Sequence, residues 1–220
     1  MIELRRIEEL SLNSSAPPAQ LLYDGWLVRL SPGKAKRARS VNAVYPSSLA
    51  LDRKIEYCEN LYLRADLPML FRITPFSEPA GMDAELERRG YSRLEPTAVE
   101  VAPLERAPAD GGATRMELGP WVEAVAALRG SPNAHREAHR ARLERMPLDK
   151  CAVAIEDEEG VAATGLAIVE DGVAGIFDIV TRESARRRGL ARRVVASLLN
   201  LAHGIGARGE IGRASCRERV

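Results

Sequence analysis

The hydrophobic pattern of residues 120–203 constrains the fold most, because it predicts a definite order of helices and strands. The predicted elements are helices over 120–128 and from the 130–132 break to about 145, strands over 151–156, 162–169 and 173–181, and an amphipathic helix over 189–203. Short turns rich in Asp, Glu and Gly join the three strands, which predicts an antiparallel meander followed by a crossover helix. This order is typical of an α/β (α+β) protein in which helices flank a mixed, mostly antiparallel sheet, and it excludes a helical bundle and a β-sandwich.

Residues 1–105 predict a separate amino-terminal α/β lobe. Its predicted elements are a short first helix, a hairpin with arms over 23–30 and 37–45 and a turn at 31–33, a helix over 51–65, a strand over 69–74, a short helix over 80–89 and an extended segment over 91–101. Gly90 is expected just after the short helix over 80–89, at the position where glycine commonly ends a helix. Pro96 indicates an edge or a bulge in the extended segment.

Composition places the domain boundaries. Residues 106–113 are rich in Pro, Gly and Ala and have no hydrophobic period, so they predict a linker. Residues 114–209 form the second predicted domain. Residues 210–220 show no strand alternation and little apolar content, and we expect them to be a non-native tail that belongs to neither domain.

The overall composition excludes several classes of protein. With 220 residues, 45% of them hydrophobic, and a formal net charge of +1, the chain can bury a core and is not intrinsically disordered. It shows no run of about 18 apolar residues and no signal-like start, so no membrane partner is expected. Cys58, Cys151 and Cys216 have neither metal-site spacing nor the pattern of a disulfide framework, which favours a cytoplasmic location.

One segment predicts an anion-binding site. A strongly apolar strand ends at Thr181, a short polar loop follows, and Arg186-Arg187-Arg188-Gly189-Leu190-Ala191 opens the amphipathic helix. The first amide groups of a helix lack intrahelical partners and carry partial positive charge. Gly189 lets a ligand approach the backbone, and three arginines add charge. The natural ligand of such a site is a diphosphate.

The same run resembles the acyl-CoA-binding motif of the GCN5-related N-acetyltransferases (GNAT), Arg/Gln-x-x-Gly-x-Gly/Ala, with Arg186, Gly189 and Ala191 at the matching positions. The order of elements over about residues 113–207 also resembles this family. The resemblance implies a GNAT-like fold, with acetyl-CoA as co-substrate and no metal. It further implies that Ile179 and Val180 lie where main-chain groups pair with the pantetheine arm, and that the amides of residues 187–191 hold the pyrophosphate.

The first half is similar to the amino-terminal half of a bacterial GNAT subgroup that has two related acetyltransferase-like halves. The similarity rests on residues 23–26, 37–42, 71–75 and 86–91. No phosphate loop is visible in this half, so the resemblance implies a partner lobe without a second active site. An unrelated small α/β lobe is the alternative.

The resemblance implies an N-acetyltransferase in which an amine of a small molecule or a peptide attacks acetyl-CoA directly. Asp178 is the candidate catalytic residue, because a carboxylate beside the cleft can deprotonate an incoming ammonium. A hydrogen-bonded structural role is the alternative for Asp178. The strands that follow the motif helix in the family, and the Tyr they supply, are expected to be missing here. A non-catalytic acyl-CoA-binding or interaction module is therefore the alternative function, and an Arg-mediated nucleic-acid binder is a third.

Two other groups have weaker patterns. His135 and His139 lie four residues apart and share one helix face, but no third ligand is evident and no metal site is predicted. A short basic hairpin without interleaved aromatic residues is more typical of a solvated turn than of a nucleic-acid site; its cations are Lys34, Lys36, Arg37 and Arg39. We expect no nucleic-acid partner and leave a homodimer open.

Overall fold

The computed structural model describes residues 4–33, 35–94, 99–208, 210–213 and 217–219, the last two ranges by their backbone. Its helices are α1 (Leu4–Asn13), α2 (Leu51–Arg64), α3 (Met82–Arg88), α4 (Leu118–Arg129), α5 (Asn133–Arg145) and α6 (Leu190–Gly204). Its strands are β1 (Ala19–Tyr23), β2 (Trp26–Leu30), β3 (Val41–Ala43), β4 (Phe71–Ile73), β5 (Arg93–Leu94), β6 (Glu100–Pro103), β7 (Thr114–Met116), β8 (Asp149–Asp157), β9 (Gly160–Glu170), β10 (Val173–Thr181), β11 (Glu210–Arg213) and β12 (Arg217–Arg219). The chain divides into two compact units, Met1–Ser14 with Glu100–Arg213 and Ser15–Val99 with Ala214–Val220.

The first unit is built on a sheet with the strand order β6-β11-β10-β9-β8-β7. The long strands β8, β9 and β10 pair antiparallel, as the sequence predicts, and β11 joins β10 in parallel. Successive residues of a strand point to opposite faces. Ala167 and Val169 of β9 therefore contribute to one apolar cluster, and Leu166 and Ile168 contribute to another.

Helices cover the two clusters. The buried stripe of α6, Leu190, Val194 and Leu198, repeats every four residues and packs into the first cluster. The second cluster receives Trp121 of α4 and Leu143 of α5, both fully buried. All the elements predicted between residues 120 and 203 are thus confirmed. Helices α4, α5 and α6 pack around β10, the strand that precedes the loop with the Arg186–Gly189 motif, which is called the motif loop below.

Helix α1 belongs to this unit, although the sequence predicts residues 1–105 as one lobe. Its residue Leu10 is 3% exposed and packs into the cluster of Trp121 and Leu166. Hydrophobic periodicity reveals that a helix has an apolar face, but it does not indicate which sheet covers that face. The unit to which α1 belongs is therefore decided by long-range contacts, which the local sequence does not reveal.

The predicted linker also differs from the structure. The division between the units falls next to Glu100, and residues 106–113 are bound to α6. Asn200 Nδ2 donates to Pro108 O (2.9 Å), Arg193 Nε donates to Gly111 O (2.9 Å), and Ala113 N donates to Ser197 Oγ. The small residues of this segment therefore let its main chain lie close to α6, and the segment does not act as a flexible linker.

The second unit is built on a sheet with the strand order β1-β2-β3-β4-β12-β5. Helix α2 buries Ile55, Cys58 and Tyr62 against it, in a cluster with Trp26 and Phe71. The predicted strand over 23–30 is wrong, because Asp24 and Gly25 form a hairpin turn between β1 and β2. Their φ angles, +43° and +82°, are typical of the Asp-Gly pair that favours such turns.

The carboxyl-terminal segment differs from the expectation that no strand follows α6. Strand β11 pairs in parallel with β10 and antiparallel with β6, and β12 pairs antiparallel with β4 and β5. Short strands of this kind form through main-chain hydrogen bonds, which do not require the side-chain alternation that residues 210–220 lack. Residues 95–98, which include Pro96, and Cys216 lie outside the described residues.

Among the described residues, no helix has both the length and the apolar character needed to cross a bilayer.

Candidate functional site

Strand β10 carries an irregularity at the residue proposed for catalysis. Its pairing with β9 runs regularly to Phe177 opposite Leu166 and resumes at Val180 opposite Thr164, so a bulge lies between Phe177 and Val180. Asp178 lies in this bulge with φ +51°, a conformation that non-glycine residues rarely adopt. Bulges of this kind re-aim side chains and often lie beside active sites.

The edge of β10 that faces away from β9 is open after the bulge. Strand β11 pairs with β10 at Ala174 and Gly175, and within the described ranges no strand pairs with residues 176–181 on that side. The predicted residues Ile179 and Val180 lie in this open stretch and are half-buried. An unpaired strand edge offers main-chain donors and acceptors to an extended ligand.

The loop between β10 and α6 ends in an open helix terminus. Gly189 is the residue before α6, with φ +76°. Arg193 N makes a hydrogen bond to Gly189 O (3.2 Å), so the preceding amides of the first helical turn have no carbonyl partner within the helix. A Cβ atom on Gly189 would meet no atom within 4 Å. The terminus therefore combines free amides with room for a ligand.

The three arginines of the motif surround this terminus, and all three are exposed. Arg186 Nη1 lies 2.7 Å from Glu183 Oε2, and Arg188 Nη1 lies 3.3 Å from Asp157 Oδ2. Leu190 points into the core and Ala191 to solvent. Leu190 and Ala191 therefore offer a ligand their backbone amides, whereas the arginines offer charge.

Asp178 is the centre of an ion-pair cluster on the side of the sheet covered by α4 and α5. Its Oδ1 lies 2.8 Å from Arg129 Nη2 and its Oδ2 lies 3.2 Å from His139 Nε2. Burial alone would raise the pKa of Asp178, but His139, Arg129 and Arg142 outweigh it, so the pKa lies well below its usual range. Asp178 is therefore a carboxylate across the physiological pH range.

His139 is held on two sides. Its ring makes an edge contact with Trp121 at 5.8 Å between centroids, and its Nε2 is buried against Asp178. The sequence analysis did not identify the contact of His139 with Asp178. The available signal was Leu143, one helical turn away and fully buried, which indicates that this face of α5 turns inward.

The carboxylate of Asp178 lies beside His139, but within the described residues it does not complete a three-ligand site around the His135 and His139 pair. Among the described residues, no group of three or more His, Cys, Asp or Glu side chains is arranged to hold a metal ion.

The sequence analysis also missed Arg129 as a partner of Asp178, because the last residue of a helix shows no periodic signal. The side chain of Arg129 remains 43% exposed.

The basic segment of the other unit is not a solvated turn. Lys36, Arg37 and Arg39 are half-buried around a short 3₁₀ turn, Lys36–Ala38, and Arg37 O accepts a hydrogen bond from Arg29 Nη1 (3.2 Å). Lys34 lies outside the described residues. This segment therefore packs within its own unit.

Comparison with known proteins covers nearly the whole chain. The model of the acetyltransferase (GNAT) family matches residues 120–218. The chain is 31% identical over 218 residues to the uncharacterized N-acetyltransferase YobR of Bacillus subtilis (strain 168), covering 94% of this chain and 86% of that protein.

Two solved structures have the same fold. A GCN5-related N-acetyltransferase from Kribbella flavida superposes with a TM-score of 0.72 at 16% identity, covering 98% of this chain and 92% of the other. A functionally unknown conserved protein from Staphylococcus epidermidis ATCC 12228 gives a TM-score of 0.57 at 8% identity, covering 91% and 92%. These findings confirm the GNAT-like fold and the acyltransferase class, and the chain belongs to the acetyltransferase (GNAT) family.

Proposed function

We propose that this protein is a cytoplasmic N-acetyltransferase that transfers an acetyl group from acetyl-CoA to an amine of a small molecule or a peptide. The observation that carries the proposal is the continuity of two open features. The free edge of β10 over residues 176–181 is joined by the seven-residue loop 182–188 to the free helix terminus at Gly189. An extended arm that ends in a diphosphate fits both features at once.

The residues divide the work of binding in a defined way. Main-chain groups of Ile179 and Val180 pair with the pantetheine arm, and the amides of residues 187–191 receive the pyrophosphate. Arg186, Arg187 and Arg188 add positive charge from solvent. The thioester then lies beside the bulge, where a strand amide polarises its carbonyl and an amine attacks it directly.

A second candidate function is a non-catalytic acyl-CoA-binding module. One observation favours it: the five tyrosines of the sequence all lie within Ser15–Val99, in the unit that does not carry the motif helix. They are Tyr23, Tyr45, Tyr57, Tyr62 and Tyr91. No Tyr within residues 100–213 is then present to protonate the departing thiolate. Binding would be intact in such a module, and turnover would be absent.

Acetyl-CoA binding, measured by titration calorimetry, tests the shared part of both proposals. We expect wild-type protein to bind and Gly189→Glu to abolish binding, because it places bulk and negative charge at the helix terminus. Gly206→Glu is the matched control, since Gly206 also has a positive φ (+107°) and open space, but lies beyond the other end of α6. Gly189→Ala separates backbone strain from charge. Absence of binding by wild-type protein at millimolar acetyl-CoA would exclude both functions.

Thiol release then distinguishes the enzyme from the module. The assay combines acetyl-CoA with separate amines such as spermidine, L-lysine, glucosamine and a lysine-containing peptide. Release that depends on the amine supports the transferase. Saturable binding without release for any amine supports the module.

A further inference from the structure

The side chain of His139 reaches β10 at the bulge, beside the open edge. His139 lies on α5, and its Nε2 is 3.2 Å from Asp178 Oδ2. Asp178 directly precedes Ile179 and Val180, the residues assigned to the pantetheine arm. The imidazole of His139 therefore contacts the side chain of the residue that precedes the main chain along which the thioester would lie.

The orientation of the imidazole is set by its neighbours. Nε2 is buried 3.2 Å from Asp178 Oδ2, and the ring stands nearly perpendicular to Trp121, at 74°. A carboxylate close to one ring nitrogen favours the tautomer with the proton on that nitrogen. Nδ1 is then the nitrogen that can accept a proton. The side chain is 15% exposed, so the ring is not sealed from solvent.

Cationic side chains from both α4 and α5 lie near the His139–Asp178 pair. Arg129 of α4 binds the other oxygen of Asp178 at 2.8 Å, and Arg142 of α5 contributes to the low pKa of Asp178. Asp178, already paired with the guanidinium of Arg129, is a poor proton acceptor. Its place in the cluster suits a residue that orients another group.

We propose that His139 accepts the proton of the acceptor ammonium and that Asp178 is the positioning residue for its imidazole, an inference that rests on the proposed acetyl transfer. The ammonium gives one proton to Nδ1, which passes it to solvent. The free amine then attacks the thioester carbonyl carbon, so the carbon–nitrogen bond forms and the carbon–sulfur bond breaks. The second proton of the nitrogen leaves with the sulfur as the CoA thiol.

Nuclear magnetic resonance of the histidine side chains tests this without knowledge of the acceptor. The chain has three histidines, so His135 on the same helix and His203 on α6 serve as internal controls. We expect saturation with acetyl-CoA to shift the imidazole signals of His139, to shift them differently from CoA, and to leave His135 nearly unchanged. Binding that leaves the signals of His139 unchanged would overturn the inference.

Kinetics with an amine that supports thiol release provide the second test. We expect His139→Gln to lower kcat about 100-fold, the lower end for loss of a general base, and to remove the acid limb of the pH–rate profile. His135→Gln should retain both. Asp178→Asn should lower kcat less and alter the acid limb, with the affinity for acetyl-CoA within twofold of wild type in every variant.

The outcomes separate the two levels of the proposal. If wild-type protein binds no acetyl-CoA, the proposed function fails and the role of His139 fails with it. If acetyl-CoA binds and turnover occurs, but His139→Gln keeps the acid limb, only the role of His139 fails. If no amine is turned over, the resonance experiment decides. Thermal unfolding of each variant shows whether a loss of rate comes from loss of the fold.

Discussion

Arg182 Nη2 donates hydrogen bonds to both carboxylate oxygens of Asp157, at 2.6 and 2.7 Å. The same guanidinium donates to Val161 O (3.3 Å) and to Ser184 Oγ (3.0 Å). These bonds join the β8–β9 turn to the first residue of the motif loop. The hydrogen bond from Arg182 also lowers the pKa of Asp157. The Arg182–Asp157 pair therefore holds the start of the motif loop against the β8–β9 turn.

Loss of the Arg182–Asp157 pair is expected to weaken acetyl-CoA binding. Arg182→Met and Asp157→Asn should each raise the Kd about fivefold, since a partly exposed ion pair contributes up to about 1 kcal/mol. The double variant should weaken binding by less than the product of the two single effects, because the Arg182–Asp157 pair is lost in all three. Each single variant also loses contacts of its own, those of Arg182 with Val161 and Ser184 or that of Asp157 with Arg188. Calorimetric titration with acetyl-CoA measures these values.

The matched control is Arg88→Met, which breaks a bidentate ion pair with Glu85 in the other unit. We expect it to leave the Kd unchanged. Equal affinities for wild-type protein and both Arg182–Asp157 variants would show that the loop is ordered without the pair.

Gly111→Ala should destabilise the protein by about 1–3 kcal/mol, the cost of overpacking a rigid contact. A Cβ atom at this position would lie 1.9 Å from Arg193 O, which is main chain of α6 and cannot rotate away. Urea unfolding at fixed pH measures the change. Gly204→Ala is the control, since its Cβ meets nothing within 4 Å and Ala favours a helix over Gly by up to about 1 kcal/mol. Equal stability of the two variants would contradict the close approach.

Stability should fall in acid partly through Glu85. Hydrogen bonds from Arg88 and then Arg89 lower the pKa of Glu85 from 4.5 to about 2. Because the folded state holds this proton less tightly than the unfolded state, the contribution is present above about pH 4.5 and is lost as the pH falls toward about 2. We expect Glu85→Gln to reduce the slope of unfolding free energy against pH in this window.

Glu144→Gln, on the exposed face of α5, serves as the control for this titration. If Glu85→Gln has the wild-type slope, the ion pairs of Glu85 with Arg88 and Arg89 do not stabilise the folded protein.

Cys58 and Cys151 should resist thiol reagents in the native protein. Both are buried, at 0% and 1% exposure, and burial raises the pKa of Cys58 to about 12 and raises that of Cys151. Since the thiolate is the reactive form, we expect mass spectrometry after iodoacetamide treatment to find both unmodified. Addition of denaturant should expose both to labelling. Rapid labelling of either cysteine in the native state would contradict the packing of α2 or β8.

Features within one helix or one turn could be predicted from the sequence. The bounds of α2, α4, α6 and β8–β10 follow from hydrophobic periods, and the open terminus at Gly189 follows from an apolar strand, a polar loop and an amphipathic helix in succession. The turn at Asp24-Gly25 also had a local signal, which the predicted single strand overlooked. Each depends on residues only a few positions apart.

Contacts between distant segments required the tertiary structure. The sequence identified Asp178 as a carboxylate near the cleft, but its partners Arg129 and His139 lie on two different helices. The docking of α1 beside Trp121 and the pairing of β11 with β10 are of the same kind. By itself, the sequence determined the elements, the motif and the family resemblance, because periodicity and turn chemistry act locally. The folded chain decided which charged side chains meet, because residues far apart in sequence contact each other only once the helices pack on the sheet.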